Sequence, residues 1–192
     1  AFVATCDHRL MRHPVITDNA YTRWFATGEA GRADVTHMIV QFSVFSNLFL
    51  VAQLLKTINA SSLEGMRASK EILANEIGVI FNGPGGRPGG GDADRQGDPE
   101  LVSIEGSVDG GMFRFRAAHF EWLLKIGEKL GLVFNDMGKR RHGTPSTLFF
   151  CDSLAAIYGS ADANVAEGAS FAVENWAAAG FWKELIAGLE AF

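Results

Sequence analysis

The fold is decided by residues 34–59, which read DVTHMIVQFSVFSNLFLVAQLLKTIN. Apolar side chains recur there every three or four residues, a spacing that places them on one face of an α-helix. The members of this face are Ile39, Phe42, Phe45, Phe49, Ala52 and Leu55 or Lys56. Asp34 is a good N-cap in front of them. The stretch predicts a long helix from Val35 to about Asn59.

The same stretch is long enough to suggest a membrane span, but its polar residues argue against one. The interruptions between Met38 and Ile58 are Gln41, Ser43, Ser46, Asn47 and Gln53. No signal peptide is predicted, because charged side chains are mixed into the apolar positions of the first turns. We therefore interpret the segment as a core helix and expect a cytoplasmic protein without a membrane partner.

Helical periodicity continues along most of the chain, and no run of period-two alternation is long enough to predict a sheet. Pro and Gly residues, together with N-capping side chains, set the expected boundaries. The further predicted helices run up to His13, from Asn19 to Thr27, from Ser61 or Ser62 to Gly83, from Met112 to Leu130, from Thr144 to Tyr158, and from Asp162 through Ala178 to Phe192 with a bend at Gly180. The sequence thus predicts one all-α domain over residues 1–192, a bundle of about seven helices.

Composition supports a single folded domain and excludes some partners. The chain has 192 residues, of which 47% are hydrophobic and 20% charged, so it can bury one substantial core. A net charge of −5 argues against a nucleic-acid partner, which requires clustered Lys and Arg. Cys6 and Cys151 cannot form a disulfide framework, which is consistent with a reducing cytoplasm.

A Gly-rich segment divides the chain. Ten of the twenty-nine residues from Gly83 to Gly111 are Gly, and three are Pro. This composition predicts a flexible insertion, 83–111, that interrupts the helical domain. It is not a phosphate-binding loop, because no Lys-Ser/Thr pair follows it and no strand is predicted before it.

Three polar residues stand where the helical pattern demands apolar ones. Glu76 has Ile72, Leu73, Val79 and Ile80 as its neighbours on the predicted helix surface.

His119 lies near Phe115, Trp122 and Leu123, and Glu174 near Phe171 and Ala177. Each residue taken alone could be an ordinary core or helix-edge residue. Buried carboxylates are nevertheless costly unless a proton or a cation compensates them. Together, Glu76, His119 and Glu174 predict a metal site between helices, because carboxylates and imidazole suit iron. Glu167, on the same face as Glu174, is a candidate fourth ligand or a group that supports a ligand.

The order of these elements resembles the haem-oxygenase-like di-iron oxidase and oxygenase superfamily. The resemblance rests on Ala74-Asn75-Glu76-Ile77-Gly78, on His119-Phe120-Glu121-Trp122-Leu123 followed by Leu130-Gly131-Leu132, and on Phe171-Ala172-Val173-Glu174. It implies that Glu76, His119 and Glu174 are metal ligands, with two iron ions in the complete protein.

The family's remaining ligands, a His, an Asp and a second His, would fall beyond Phe192. The chain would then be either a fragment that lacks the C-terminal ligand helix or a divergent member of the superfamily. The resemblance further implies an oxidoreductase that uses dioxygen on a small amine, amino acid or carboxylate.

Three alternatives stay open. The first is a metal-free enzyme similar to thiaminase-II-like (TenA) or pyrroloquinoline-quinone-synthase-like (PqqC) proteins, which bind an organic substrate in the equivalent cavity. The second is a haem oxygenase with His8 or His13 as the axial ligand. The third is a non-catalytic binding domain on the same fold. The sequence leaves a homodimer open in every case.

Overall fold

The computed structural model describes residues 1–81, 102–103, 113–116 and 118–192 of the chain. Within these ranges it is a helical bundle, as predicted, with seven helices of at least seven residues. They are α3 (Ala20–Ala26), α4 (Arg32–Ile58), α5 (Leu63–Glu76), α6 (His119–Lys129), α7 (Pro145–Tyr158), α8 (Ala163–Trp176) and α9 (Trp182–Ala191). Two shorter helices, α1 (Phe2–Cys6) and α2 (Pro14–Thr17), lie near the N-terminus.

Helix α4 is the central element, because α5, α6 and α7 all pack against it. Its predicted extent is nearly correct, but the helix begins earlier than expected. The N-cap is Gly31, and Asp34 lies three residues inside, where its carboxylate accepts a hydrogen bond from the Gly31 amide at 3.0 Å. Asp34 therefore caps the helix from within the first turn rather than from the N-cap position.

Polar side chains of α4 form hydrogen bonds to the backbone of the segment that precedes α7. The Gln41 amide donates to the His142 carbonyl and accepts from the Thr144 amide, both at 2.8 Å. Asn47 donates to the Gly138 carbonyl at 2.9 Å, and the Ser43 hydroxyl accepts from the Gly138 amide at 2.9 Å. These contacts explain how polar residues are accommodated in a helix of high hydropathy.

Helix α4 is the one helix in the described residues that is long and apolar enough to cross a membrane. The core helix of a soluble protein passes the same test, and α4 has bundle helices packed against it. Buried side chains include Val35, Ile39 and Val44 towards its start and Ala52 and Lys56 towards its end. A cytoplasmic location stays a prediction.

The structure adds a small antiparallel sheet that the sequence analysis did not predict. Its strands are β1 (Val79–Phe81), β2 (Val102–Ser103) and β3 (Phe113–Arg116), in the order β1-β3-β2. Val79 pairs with Phe115, and Val102 pairs with Arg116. Strands β1 and β3 occupy positions that had been assigned to the end of one helix and the start of another. Helix α5 ends at Glu76 instead of Gly83, and α6 begins at His119 instead of Met112.

Most of the predicted insertion, 83–111, lies outside the described residues. Its described part, Val102 and Ser103, forms β2, so this portion of the insertion is a strand rather than a flexible loop. Near the N-terminus, Pro14 does not simply end a helix, because it occupies the first turn of α2. Proline is suited to this position, where no intrahelical partner is needed for a backbone N–H.

The other predicted helix boundaries agree closely with the structure. Thr144 caps α7 by accepting from the Thr147 amide at 3.2 Å, and Asp162 caps α8 by accepting from the Asn164 amide at 2.9 Å. Gly180 has φ 104° and marks the bend before α9. One core cluster brings α3, α4, α6 and α9 together around Phe25, and a second joins α4 to α7 around Phe49.

Candidate functional site

A cavity of about 910 Å³ opens between the helices of the bundle. Its walls are mainly apolar and rich in aromatic rings, which come from α3, α4, α6, α7 and the region around Gly180. The aromatic residues that line it include Phe42, Phe45, Phe49, Phe150, Trp176 and Trp182. The rings contact one another, with Phe45 and Phe150 at 5.5 Å between centroids and Phe42 and Trp182 at 5.1 Å. Such a cavity can enclose the apolar body of a small organic molecule.

All three predicted ligands line this cavity. Glu76 is the last residue of α5, His119 is the first residue of α6, and Glu174 lies near the end of α8. Two carboxylates and one imidazole therefore line the same cavity from the ends of three helices. All three residues belong to the helices predicted for them, but α5 ends earlier and α6 begins later than predicted.

Glu76 and His119 are in direct contact. The Nδ1 atom of His119 lies 3.0 Å from Oε2 of Glu76. The Glu76 side chain is only 11% exposed, whereas that of His119 is 69% exposed. His119 therefore occupies the solvent-accessible rim of the cavity, and Glu76 lies further inside. The expectation that His119 is enclosed by an apolar helical stripe is wrong, because Phe115 belongs to β3 and the helix starts at His119 itself.

The surroundings of Glu76 also differ from the expectation. Val79 lies on β1 rather than on the predicted continuation of α5, so it is not a helical neighbour of Glu76. Ile72 and Leu73 remain on α5, one turn earlier, and both are partly buried. Glu76 is nevertheless buried, because the end of α5 faces the cavity.

Glu174 is exposed, and it interacts electrostatically with the other two groups. Partial burial raises the pKa of the Glu174 carboxyl above its usual value, and the charge of Glu76 raises it further. His119 and Lys56 act in the opposite direction. The two carboxylates thus repel each other across the cavity, which is the electrostatic situation that a cation or a shared proton relieves.

The donor types of these residues fit iron, but their arrangement is incomplete. Two carboxylates and an imidazole are ligands typical of non-haem iron. In the part of the chain that the structure describes, however, no three His, Cys, Asp or Glu side chains form a group that could hold a metal ion. Glu76 and His119 are already in contact, so a cation would require Glu174 to turn towards them.

The remaining candidates fall outside the cavity. Glu167 is not among the lining residues, and its Oε2 atom forms an ion pair with Nζ of Lys56 at 3.0 Å. His8 and His13 do not line the cavity either, and His13 accepts a hydrogen bond from the Val15 amide through Nδ1. Neither histidine proposed as the axial haem ligand therefore lies at the cavity.

Several buried polar side chains near the cavity were not predicted from the sequence as functional residues. Tyr158 is fully buried, and its ring packs against that of Phe49 at 5.7 Å between centroids. Burial raises the pKa of the Tyr158 phenol, and the nearby charges of Glu174, Glu76 and Glu167 add to this effect, whereas the hydroxyl of Ser170 lowers the pKa.

Gln53 and Lys56 on α4 are also almost completely buried. The signal was available in the sequence, because both follow Phe49 at helical spacing on a face that is otherwise apolar.

Comparison with known proteins gives no relative: no family model, no curated protein and no solved structure matches the chain. The fold and the site alone therefore define its class. It is a helical-bundle protein with an aromatic cavity that two carboxylates and one imidazole line from three helix ends. The likeness to haem-oxygenase-like proteins stays a prediction from the sequence.

Proposed function

We propose that this protein is an iron-dependent oxygenase or oxidase that uses dioxygen on a small amine, amino acid or carboxylate, on a haem-oxygenase-like fold. One observation carries the proposal: Glu76, His119 and Glu174, selected from the sequence as ligands, line one aromatic cavity from three separate helices. Iron bound there would supply the activation of dioxygen.

The chain's own residues would hold the metal and position the substrate. Glu76 and Glu174 would neutralise the charge of the cation, which also removes the repulsion between them. His119 would contribute a neutral nitrogen from the rim. The aromatic walls would bind the apolar part of the substrate and exclude water from the reacting end. A reducing partner would have to supply electrons.

An iron-binding titration tests this proposal. The protein is titrated with Fe(II) under anaerobic conditions, and bound iron is measured by elemental analysis after equilibrium dialysis. We expect Glu76→Gln, His119→Gln and Glu174→Gln each to weaken binding by about tenfold or more, since each removes a donor. Addition of dioxygen to the loaded wild type should then change its visible absorbance.

Matched controls come from the same elements. Glu71→Gln changes an exposed carboxylate on α5, and His37→Gln changes an exposed histidine on α4; neither residue lines the cavity. Both controls should bind iron like the wild type. If the wild type binds no more iron than the variant with all three ligand substitutions, the proposal is wrong.

A second function is favoured by the contact between Glu76 and His119. Their 3.0 Å hydrogen bond joins the carboxylate directly to the imidazole. The protein would then be a metal-free enzyme or binding domain that holds a small organic molecule in the aromatic cavity. Calorimetric titration with 2-phenylethylamine in the presence of a chelator tests this alternative. Binding that persists in the chelator, together with no iron uptake, would favour it over the iron-dependent oxygenase.

A further inference from the structure

Behind the aromatic cavity, four helices carry polar side chains on their inner faces. Helix α4 contributes Gln53 and Lys56, α5 contributes Ser69, α7 contributes Tyr158, and α8 contributes Ser170. All five are buried, with exposed fractions between 0% and 4%. This is an unusual concentration of hydrogen-bonding groups for the interior of a bundle.

Several of these groups have no protein partner. Both polar atoms of the Gln53 side chain and the hydroxyl of Ser69 make no hydrogen bond to any described residue. The hydroxyl of Tyr158 makes no hydrogen bond of full geometry, and the Ser170 hydroxyl is near enough to lower the pKa of the phenol as a hydrogen-bond partner. Buried polar atoms are almost always satisfied in native proteins, and internal water is the usual partner where protein groups are lacking.

This set of buried polar side chains extends from the protein surface to the cavity. Glu167, whose side chain is 54% exposed, holds the buried ammonium of Lys56 at 3.0 Å and marks the outer end. Glu174, which lines the cavity, marks the inner end. The two carboxylates lie two turns apart on α8, about 10 Å along the helix axis, and Ser170 lies between them on the same face.

We propose that α4, α5, α7 and α8 enclose a file of internal water that connects the aromatic cavity at Glu174 with solvent at the Lys56–Glu167 ion pair. Gln53, Ser69 and Tyr158 bind this water, and the ion pair lines its outer end. The file forms a rear entrance for water and protons that stays open when an apolar ligand occupies the cavity. The inference does not depend on the proposed iron site.

Nuclear Overhauser measurements on the metal-free protein test for the water itself. The side-chain amide of Gln53 is identified by the loss of its signals in Gln53→Leu. We expect cross-peaks between these amide protons and water, since water held inside a protein stays long enough near them to transfer magnetisation. A resolved Gln53 amide signal that shows no transfer from water would overturn the proposal.

Hydrogen–deuterium exchange of the same amide tests the route. Lys56→Met replaces the ammonium with an apolar group of similar length, so exchange should slow by about tenfold or more. Glu167→Ala removes the outer partner, and exchange should become faster. Lys70→Met, at an exposed position on α5, should have no effect. Equal exchange rates in wild type, Lys56→Met and Glu167→Ala would show that water does not enter by this route.

Thermal stability gives a second readout that does not require assignment. If the interior were dry, Ser69→Ala would remove an unpaired hydroxyl and raise the melting temperature. If water is bound there, the same change removes a partner of that water, and the melting temperature stays the same or falls. Ser61→Ala, at an exposed position before α5, is the matched control. A melting temperature that rises in Ser69→Ala relative to this control would contradict the proposal.

Discussion

The contact between α9 and α3 gives a sharp prediction, because it requires a glycine, which has no Cβ atom, at the point of closest approach. Gly188 is buried in α9, and a Cβ atom placed there would lie 2.3 Å from the carbonyl oxygen of Phe25 and 2.4 Å from its Cδ1 atom. Ordinary contacts begin at 3.4 Å, so Gly188→Ala requires the two helices to separate by about 1 Å. Phe25 is fully buried at the centre of its cluster and cannot move freely.

The cost can be worked out from opposing effects. Overpacking of a well-packed core costs about 1–3 kcal/mol, whereas replacing Gly by Ala inside a helix gains roughly 0.5–1 kcal/mol. The two ranges subtract to a net loss centred on about 1 kcal/mol for Gly188→Ala, which lowers the melting temperature by about 2–4 °C for a domain of this size.

Gly168 supplies the matched control for this substitution. It lies in α8 and would present a Cβ atom to no other atom within 4 Å. Gly168→Ala should therefore gain roughly 0.5–1 kcal/mol. Both variants are measured by urea denaturation followed by circular dichroism. If Gly188→Ala is as stable as Gly168→Ala, the close approach of α9 to α3 is wrong.

Further predictions concern a phenol, a helix cap and two thiols. Burial raises the pKa of the Tyr158 phenol in the folded protein above its usual 10.0. In the unfolded chain the phenol ionises at about its usual pKa, so the free energy of unfolding falls as the pH rises above about 10. Tyr158→Phe should flatten the fall in melting temperature between about pH 9 and 11; an equally steep fall would refute this. Thr144→Ala removes the α7 cap and should cost about 1 kcal/mol in urea denaturation; unchanged stability would show that the cap contributes nothing. Burial also raises the pKa of the Cys151 thiol, so an alkylating reagent at neutral pH should modify Cys6 first, as peptide mass spectrometry can show; faster labelling of Cys151 would contradict its burial.

Local signals in the sequence were sufficient for most helices. Thr144-Pro145 and Asp162 predicted the starts of α7 and α8 because capping chemistry depends on neighbouring residues alone. The sheet was missed for a different reason. Val79-Ile80-Phe81 and Phe113-Arg114-Phe115-Arg116 are short, and short apolar or alternating runs do not distinguish a strand from a helix end. Their pairing joins segments that are far apart in sequence, which no local pattern reveals.

The sequence singled out three residues that line one cavity, but not their local geometry, and their role as metal ligands stays a prediction. Polar residues on apolar faces identified Glu76, His119 and Glu174, and all three line the cavity. Glu76 and His119 were predicted to lie within helices, whereas they lie at helix ends, because the strands shorten both helices. The ion pair of Lys56 with Glu167 was not predicted, since contacts between helices depend on their rotation about their axes.

The hydrogen bonds from α4 to the segment before α7 make the two sides of the cavity unequal. Gln41 and Asn47 hold that segment by its backbone, so the wall formed by Phe45 and Phe150 has a fixed spacing. Another part of the lining follows Gly180, where a positive φ divides the helical run. We therefore expect substitutions around Gly180 to change the size of the cavity more than substitutions of the backbone-anchored segment before α7.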